Sequence, residues 1–315
     1  MKVIGGSTIA AILGLSKWQS PHSVFLRLTG KLESDQEGET LERGKAAEPV
    51  VASMYALNHP EYIVEEAGMM TNAEHEYLVA SPDRLLFDAQ NYDTPVSGLE
   101  VKTADLMLLS EWGEEDTDEI PVPYLCQCQW YAGFFGVQDW KLAVGFVKSG
   151  TRKVIQYREY CVKHNQERYD AMISRAIDFW EQHVVTGNEP PITEPDSDTI
   201  RYYRSKYPAH ESGKWIEATN EVETLAKKIT ESQFRFKEAE HDFETYKTQM
   251  IALLADAEGV KTSAGNITYR QSKPTLKTDW KTVAEAMLTP KAVIDQFTTE
   301  TPGSRRFLIS KRKEC

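Results

Sequence analysis

Two short segments carry the residue types that phosphodiester chemistry needs. Ser81-Pro82-Asp83 is followed, seventeen residues after the aspartate, by Glu100-Val101-Lys102. The stretch before Asp83, Glu76-Tyr77-Leu78-Val79-Ala80-Ser81, is a short apolar run, and Gly98-Leu99-Glu100-Val101-Lys102-Thr103 alternates like a strand. A hairpin between them would set Asp83 beside Glu100. Period-two alternation puts Glu100 and Lys102 on one face with Val101 on the other, so a divalent cation and an ammonium can share a pocket. Hard cations such as Mg²⁺ take one or two carboxylates together with carbonyl, water and phosphate oxygens, and Val101 adds its carbonyl to that set. A Glu-x-Lys in a strand is by itself more often a solvated face with a cross-strand ion pair, so the surrounding elements decide.

Those elements are a helix before the pair and a helix after it. Arg43-Gly44-Lys45-Ala46-Ala47-Glu48-Pro49 opens a helical segment through Val50, Val51, Met54 and Tyr55, which places Glu48 near a helix start, where a glutamate ordinarily complements the dipole. Downstream, Tyr124-Leu125-Cys126-Gln127-Cys128-Gln129-Trp130-Tyr131 reads as a buried helix, inside which two glutamines require partners. Helices are expected over 7–13, 21–29, 41–57 and 165–183, and strands over 62–70, 77–80, 84–87, 99–103, 141–147 and 154–161. This is an α/β pattern.

The ordered series Ile4-Gly5-Gly6-Ser7, Arg43-Gly44 to Glu48, Ser81-Pro82-Asp83, Glu100-Val101-Lys102 and Tyr124 with Gln127 resembles the YqaJ-type viral recombinases, the lambda exonuclease branch of the PD-(D/E)xK nucleases. The resemblance covers roughly residues 1–190. It implies a central mixed sheet flanked by helices, with Asp83, Glu100 and the Val101 carbonyl as metal ligands and Glu48 reaching a metal directly or through water. It makes Lys102 the catalytic lysine and Gln127 the glutamine that contacts this lysine or the nucleophile. Tyr124 matches a nearby tyrosine, and Gln127-x-x-x-Tyr131 fits the spacing of related RecB-type nuclease domains. Ser7 and Ser81 fit positions that hydrogen-bond a terminal phosphate, with Arg27 and Arg43 both candidates for the accompanying arginine.

The implied activity is Mg²⁺-dependent exonucleolysis, with Mn²⁺ also compatible and two ions expected. Linear duplex DNA would be resected, by resemblance 5′ to 3′, to leave 3′ single-stranded overhangs for strand annealing. Expected partners are double-stranded DNA ends, a single-strand annealing or single-strand-binding protein, and further copies of the chain, a toroidal trimer by resemblance. The same catalytic groups would equally serve a structure- or sequence-specific endonuclease. A noncatalytic DNA recombination scaffold is the reading from another class, and the intact set of Glu48, Asp83, Glu100, Lys102 and Gln127 argues against it.

At 315 residues and 41% hydrophobic content the chain can bury a sizeable core. It begins without a basic segment and apolar h-region and holds no run long enough to span a membrane, so a soluble protein of the bacterial or phage-infected host cytoplasm is expected. Cys126, Cys128, Cys161 and Cys315 have neither zinc-like nor disulfide-framework spacing and read as reduced thiols.

The net charge of −12 runs against DNA binding, but it is unevenly distributed. Residues 259–315 hold eleven Lys or Arg against five Asp or Glu, a net of +6, which leaves −18 for residues 1–258. Residues 103–140 hold eight acids and no bases, densest over 111–119. That run reads as a solvated loop rather than a partner-binding or DNA-mimicking element. Lys17, Arg27, Lys31, Arg43 and Lys45 are the expected basic lining of a DNA channel.

The domain reading is a nuclease domain over 1–190, a linker over 191–214, a long helix over 215–258 and a small basic α+β tail over 259–315. In the helix, Val222, Leu225, Ile229, Ser232, Phe236, Ala239, Phe243, Tyr246, Met250, Leu253 and Ala257 recur in alternating steps of three and four. Their aromatics are large for a tight two-stranded coil, which favours packing against another surface.

Overall fold

The computed structural model describes residues 2–32, 39–148, 153–263, 265–275 and 277–299, without the side chains of 39–45. It divides into two compact units, Met1–Lys206 and Tyr207–Cys315. In the first, α1 (Gly6–Ile12), α2 (Pro21–Leu28) and α3 (Glu39–Asn58) precede β1 (Tyr62–Glu66), β2 (Met70–Thr71), β3 (Val79–Ala80), β4 (Arg84–Asp88) and β5 (Asn91–Asp105). A 3₁₀ turn over Leu106–Glu111 leads to α4 (Val122–Phe135), β6 (Asp139–Val147), β7 (Val154–Lys163), α5 (Gln166–Phe179) with a π-helical turn over Trp180–Val185, and α6 (Ser197–Lys206).

Five strands form one mixed sheet in the order β1-β4-β5-β6-β7, with β5 and β6 parallel and the other neighbours antiparallel. The parallel pair is forced by connectivity, because β5 and β6 are joined by the crossover that carries α4. This is the mixed sheet between helices that the family resemblance implied. One face packs Val51, Ala52 and Tyr55 of α3 on Leu86, Leu99, Val101 and Ala143. The other buries Trp140, Leu142, Val144 and Phe146 beneath α1, α2, α4 and α5. Gly98 faces this second side, where a Cβ would sit 2.1 Å from the Trp140 ring. Only glycine lets that indole lie across β5 two residues before Glu100.

Local chemistry sets the helix starts. Ser20 accepts the Ser23 N–H ahead of Pro21, and Asn165 accepts the Arg168 N–H at the head of α5. Helix α3 begins at Glu39, so Glu48 lies in mid-helix rather than near a start, and Pro49 is carried inside the helix. The dipole role expected for Glu48 is therefore absent.

Two further expectations differ from the structure. The stretch expected as linker contains α6, tied to α2 by Asp196, which accepts the Ser20 N–H at 2.6 Å, and by Asp198, which pairs with Arg27. The acidic run is not simply solvated. Asp116 donates its N–H to the Glu159 carbonyl and Thr117 accepts from the Cys161 N–H, both at 3.1 Å, so the run lies along the edge of β7. Arg158 and Tyr160 bond the Gly113 carbonyl at 3.1 and 3.2 Å and fix its start.

The second unit holds α7 (Asn220–Leu254), the hairpin β8 (Gly259–Thr262) and β9 (Gly265–Thr268), and the short helices α8 (Trp280–Ala286) and α9 (Lys291–Gln296). Helix α7 ends at Leu254, where Ala255 turns to φ +48°, so Ala257 falls outside the heptad seam. Arg305 to Ile309 and Cys315 lie outside the described residues; Cys126, Cys128 and Cys161 are free thiols. Among the described residues no helix is long and apolar enough to cross a membrane.

Candidate active site

The site forms where β4 begins and β5 runs on past it. Arg84 pairs with Leu99 at the start of the β4 ladder, and beyond that point β5 has no β4 residue opposite. The Asp83 carboxylate fills the gap, its Oδ2 accepting the Val101 N–H at 2.8 Å. In a strand the N–H and C=O of one residue point to the same side, so the Val101 carbonyl points toward Asp83 as well.

Glu100 and Lys102 lie on the α4 face, as alternation requires. Glu100 is only 1% exposed. Its Oε1 accepts from the Lys102 ammonium in a short contact, while its Oε2 is buried without a hydrogen-bond partner. Burial raises the Glu100 carboxyl to about 7, with the Asp83 and Glu48 charges adding and Lys102 opposing. For Lys102, burial alone lowers the ammonium, but Glu100 and then Asp83 outweigh it and hold it at about 12. Desolvation falls harder on the carboxylate, whose side chain is 2% exposed against 22% for the lysine. The pair thus keeps a charged lysine beside a glutamate that retains its proton toward neutral pH.

Helix α4 positions this arrangement from above. Trp130 donates its indole N–H to the Val79 carbonyl at 2.8 Å, and the Tyr131 hydroxyl donates to the Ser81 carbonyl at 3.0 Å. Gln127 donates to the Tyr131 oxygen at 3.2 Å. Gln127 was expected on Lys102 or the nucleophile; the structure instead places it behind Tyr131, supporting the loop that carries Asp83. The second buried glutamine, Gln129, has its own partners, bonding the Lys163 carbonyl and accepting the Asn165 N–H. Helix α1 approaches α4 closely enough that a Cβ on Gly6 would meet the Tyr131 ring at 2.8 Å, which gives the Gly5-Gly6 pair a packing reason.

Tyr124 lies against Lys102, the ammonium 5.3 Å from its ring centroid. Its other neighbours are Trp112 at 5.5 Å and the half-exposed Trp18 at 5.8 Å. No sequence signal joins these three aromatics, which come from three separate segments. Arg84 also escaped the sequence reading. Its guanidinium binds the Asp83 carbonyl at 2.7 Å and the Glu48 carboxylate at 3.2 Å. Glu48, expected as a metal ligand, is therefore held by an arginine.

Ser7 and Ser81 are both exposed. Arg27 does not stand free for a phosphate, because it pairs with Asp198, which Arg201 binds as well at 2.8 Å. Arg43 belongs to α3, but its side chain lies outside the described residues. Lys17 and Lys31, expected along a DNA channel, pair with Glu111 at 2.6 Å and Glu189 at 2.8 Å.

Among the described residues no three acidic, histidine or cysteine side chains converge as metal ligands. What the site offers is two carboxylates and a backbone carbonyl. The unpartnered Glu100 Oε2, buried beside Asp83, fits a cation, since a buried carboxylate oxygen without a proton or positive partner is costly.

Residues 1–138 match the YqaJ-like viral recombinase domain. The "Uncharacterized protein YqaJ" of Bacillus subtilis (strain 168) is 27% identical over 248 residues, covering 76% of this chain and 73% of its own. Among solved structures, the alkaline exonuclease LHK-Exo of Laribacter hongkongensis aligns with a TM-score of 0.45 and 18% identity over 65% of this chain and 93% of its own. A phage related exonuclease of Haemophilus somnus 129PT aligns with a TM-score of 0.42 and 11% identity over 59% and 96%. The similarity to the YqaJ-like viral recombinase domain thus spans the elements that carry Asp83, Glu100, Lys102 and Gln127.

Proposed function

We propose that this protein is a divalent-cation-dependent exonuclease that resects linear duplex DNA 5′ to 3′, leaving 3′ single strands for an annealing protein. The observation that carries the reading is the Asp83–Glu100–Lys102 cluster, in which a buried carboxylate oxygen lacks a partner next to a lysine held charged. Its setting in a YqaJ-like viral recombinase domain supports DNA recombination as the context.

Asp83, Glu100 and the Val101 carbonyl would hold Mg²⁺ or Mn²⁺, and the bound ion would supply a hydroxide near neutral pH and stabilise charge on the phosphoryl oxygens. The chain's own groups do the rest. Lys102, fixed as an ammonium, orients the attacking water and offsets negative charge as the phosphate becomes pentacoordinate. It does not act as a free base, because Glu100 and Asp83 keep it protonated. The Tyr124 ring lies beneath the ammonium and limits where it can move. Tyr131 and Gln127 fix the Ser81 carbonyl and hence the approach of Asp83. Exposed Ser7 and Ser81 are the hydroxyls available to a terminal phosphate. Glu48, paired with Arg84, would be the further carboxylate that could hold a second ion.

The test is nucleotide release from linear duplexes with 5′-phosphate or 5′-hydroxyl ends, and from a closed circle, by wild type and Lys102→Ala. Metal-dependent digestion of the linear DNA only, lost in the variant while duplex binding persists, is the expected result. Cutting of the circle moves the reading to an endonuclease, and hydrolysis indifferent to Lys102 overturns the site.

A further inference from the structure

Helix α7 exposes its apolar seam to solvent. Val222, Ile229, Phe236, Phe243 and Tyr246 are 37%, 38%, 67%, 64% and 66% exposed. Its cap is conventional, Thr219 accepting the Val222 N–H. A largely apolar seam running through 35 residues of a mostly polar helix, with Phe234 a further exposed aromatic beside it, needs a cover, because an amphipathic helix takes most of its stability from burying that face.

We infer that the cover is the same helix of a second copy of this chain, packed antiparallel about its midpoint. Size complementarity within the seam carries the orientation. With a and d positions assigned from Val222 onward, an antiparallel pair centred between residues 237 and 238 sets Phe236 against the partner's Ala239 and Phe243 against the partner's Ser232. Tyr246 then faces the partner's Ile229, and Leu225 and Val222 face the partner's Met250 and Leu253. Two layers join a Phe to a small residue, two join residues of middling size and one joins Tyr to Ile, so no layer stacks aromatic on aromatic or small on small. A parallel, in-register pair instead stacks Phe on Phe at 236 and 243 and leaves Ser on Ser at 232 and Ala on Ala at 239, alternating crowded and empty layers. The aromatics that are too large for a parallel zipper are thereby accommodated.

Three further observations agree. The midpoint of α7 (Asn220–Leu254) is residue 237, so this register overlaps the two helices end to end, and Ala257, outside the helix, is not needed. At the flanking g positions Arg235 faces the partner's Asp242, twice by symmetry, and at the e positions Gln233 faces the partner's Glu240, so no like charges oppose in these pairs. The area suffices as well. Three aromatics offer on the order of 400 Å², and the aliphatic positions bring the face near the ~800 Å² per partner of a standard interface.

The inference is independent of the nuclease reading and is tested on the full chain. p-Benzoylphenylalanine is placed at position 246, isotopically light and heavy chains are mixed, and photo-cross-links are mapped by mass spectrometry. Light-to-heavy cross-links to residues around Ile229 are expected, with their yield falling at least tenfold in Phe243→Glu. Light-to-heavy cross-links around Tyr246 itself, about 25 Å away along the helix at 1.5 Å per residue, would mean a parallel pair and overturn the inference. Cross-links confined to single chains, or to any surface other than α7, would overturn it too.

Discussion

Replacing Glu100 with glutamine tests whether burial holds its proton. The interval from the ordinary glutamate value of 4.5 to about 7 corresponds to roughly 3 kcal/mol at about 1.4 kcal/mol per pH unit. The sign follows from which state binds the proton. Below pH 4.5 folded and unfolded chains are both protonated at this group and nothing is lost. Between pH 4.5 and about 7 the unfolded chain releases the proton while the folded chain retains it, so stability falls as pH rises, and above that the full penalty stands. Glutamine mimics the protonated acid beside a charged Lys102 and does not titrate. Without added metal, the stability of Glu100→Gln relative to wild type should therefore improve by about 3 kcal/mol from pH 4.5 to pH 8, or about 6–12 °C in Tm for a unit of this size. Thermal unfolding in chelator, followed by tryptophan fluorescence, reads chiefly the first unit, which holds Trp18, Trp112, Trp130, Trp140 and Trp180. Adding Mn²⁺ at pH 8 should stabilise wild type and leave the variant unmoved. A difference between the proteins that stays flat across this pH range would refute the assignment of a desolvated, proton-holding Glu100.

Tyr131→Phe removes one hydroxyl and leaves two groups without that partner, the buried Gln127 amide and the part-buried Ser81 carbonyl, so denaturant unfolding should show a loss of about 1–3 kcal/mol. Nuclease turnover should fall roughly tenfold as the Asp83 loop loosens, a factor worth about 1.4 kcal/mol, and a cycle with Gln127→Ala should be non-additive because both act through one chain of hydrogen bonds. Arg27→Ala should destabilise the fold by about 1–3 kcal/mol by taking a charged partner from Asp198, with any preference between 5′-phosphate and 5′-hydroxyl ends unchanged in end-specific digestion. A selective loss of that preference would return Arg27 to end recognition.

The parts of the site that follow local periodicity were legible in the sequence. Glu100 and Lys102 share a face because strand alternation allows nothing else, and Asp83 falls beside them because an antiparallel turn joins β4 to β5. What depends on the path of distant segments was not. Arg84 holds Glu48 only because α3 crosses the far side of the sheet and brings its middle to the start of β4. Gln127 follows the same rule. Its spacing to Tyr131 was visible, but its hydrogen bond points to Tyr131 because that hydroxyl is anchored on the Ser81 carbonyl. Helix α6 escaped because prolines surround it and it is held by acid-capped contacts rather than an apolar stripe. The existence of α7 was plain from its heptads, whereas a seam does not by itself name its partner.

The acidic run along β7 bears on how these molecules behave in a crowd. A sheet border offers unused amides and carbonyls to any extended peptide, which is how sheets recruit strands from neighbouring molecules. Here the Glu159 carbonyl and the Cys161 amide are already taken by Asp116 and Thr117, and the opposite border, β1, carries Glu65 and Glu66. Both rims of the sheet present negative charge, so two molecules that meet rim to rim repel each other. Many copies can then crowd together without their sheets fusing.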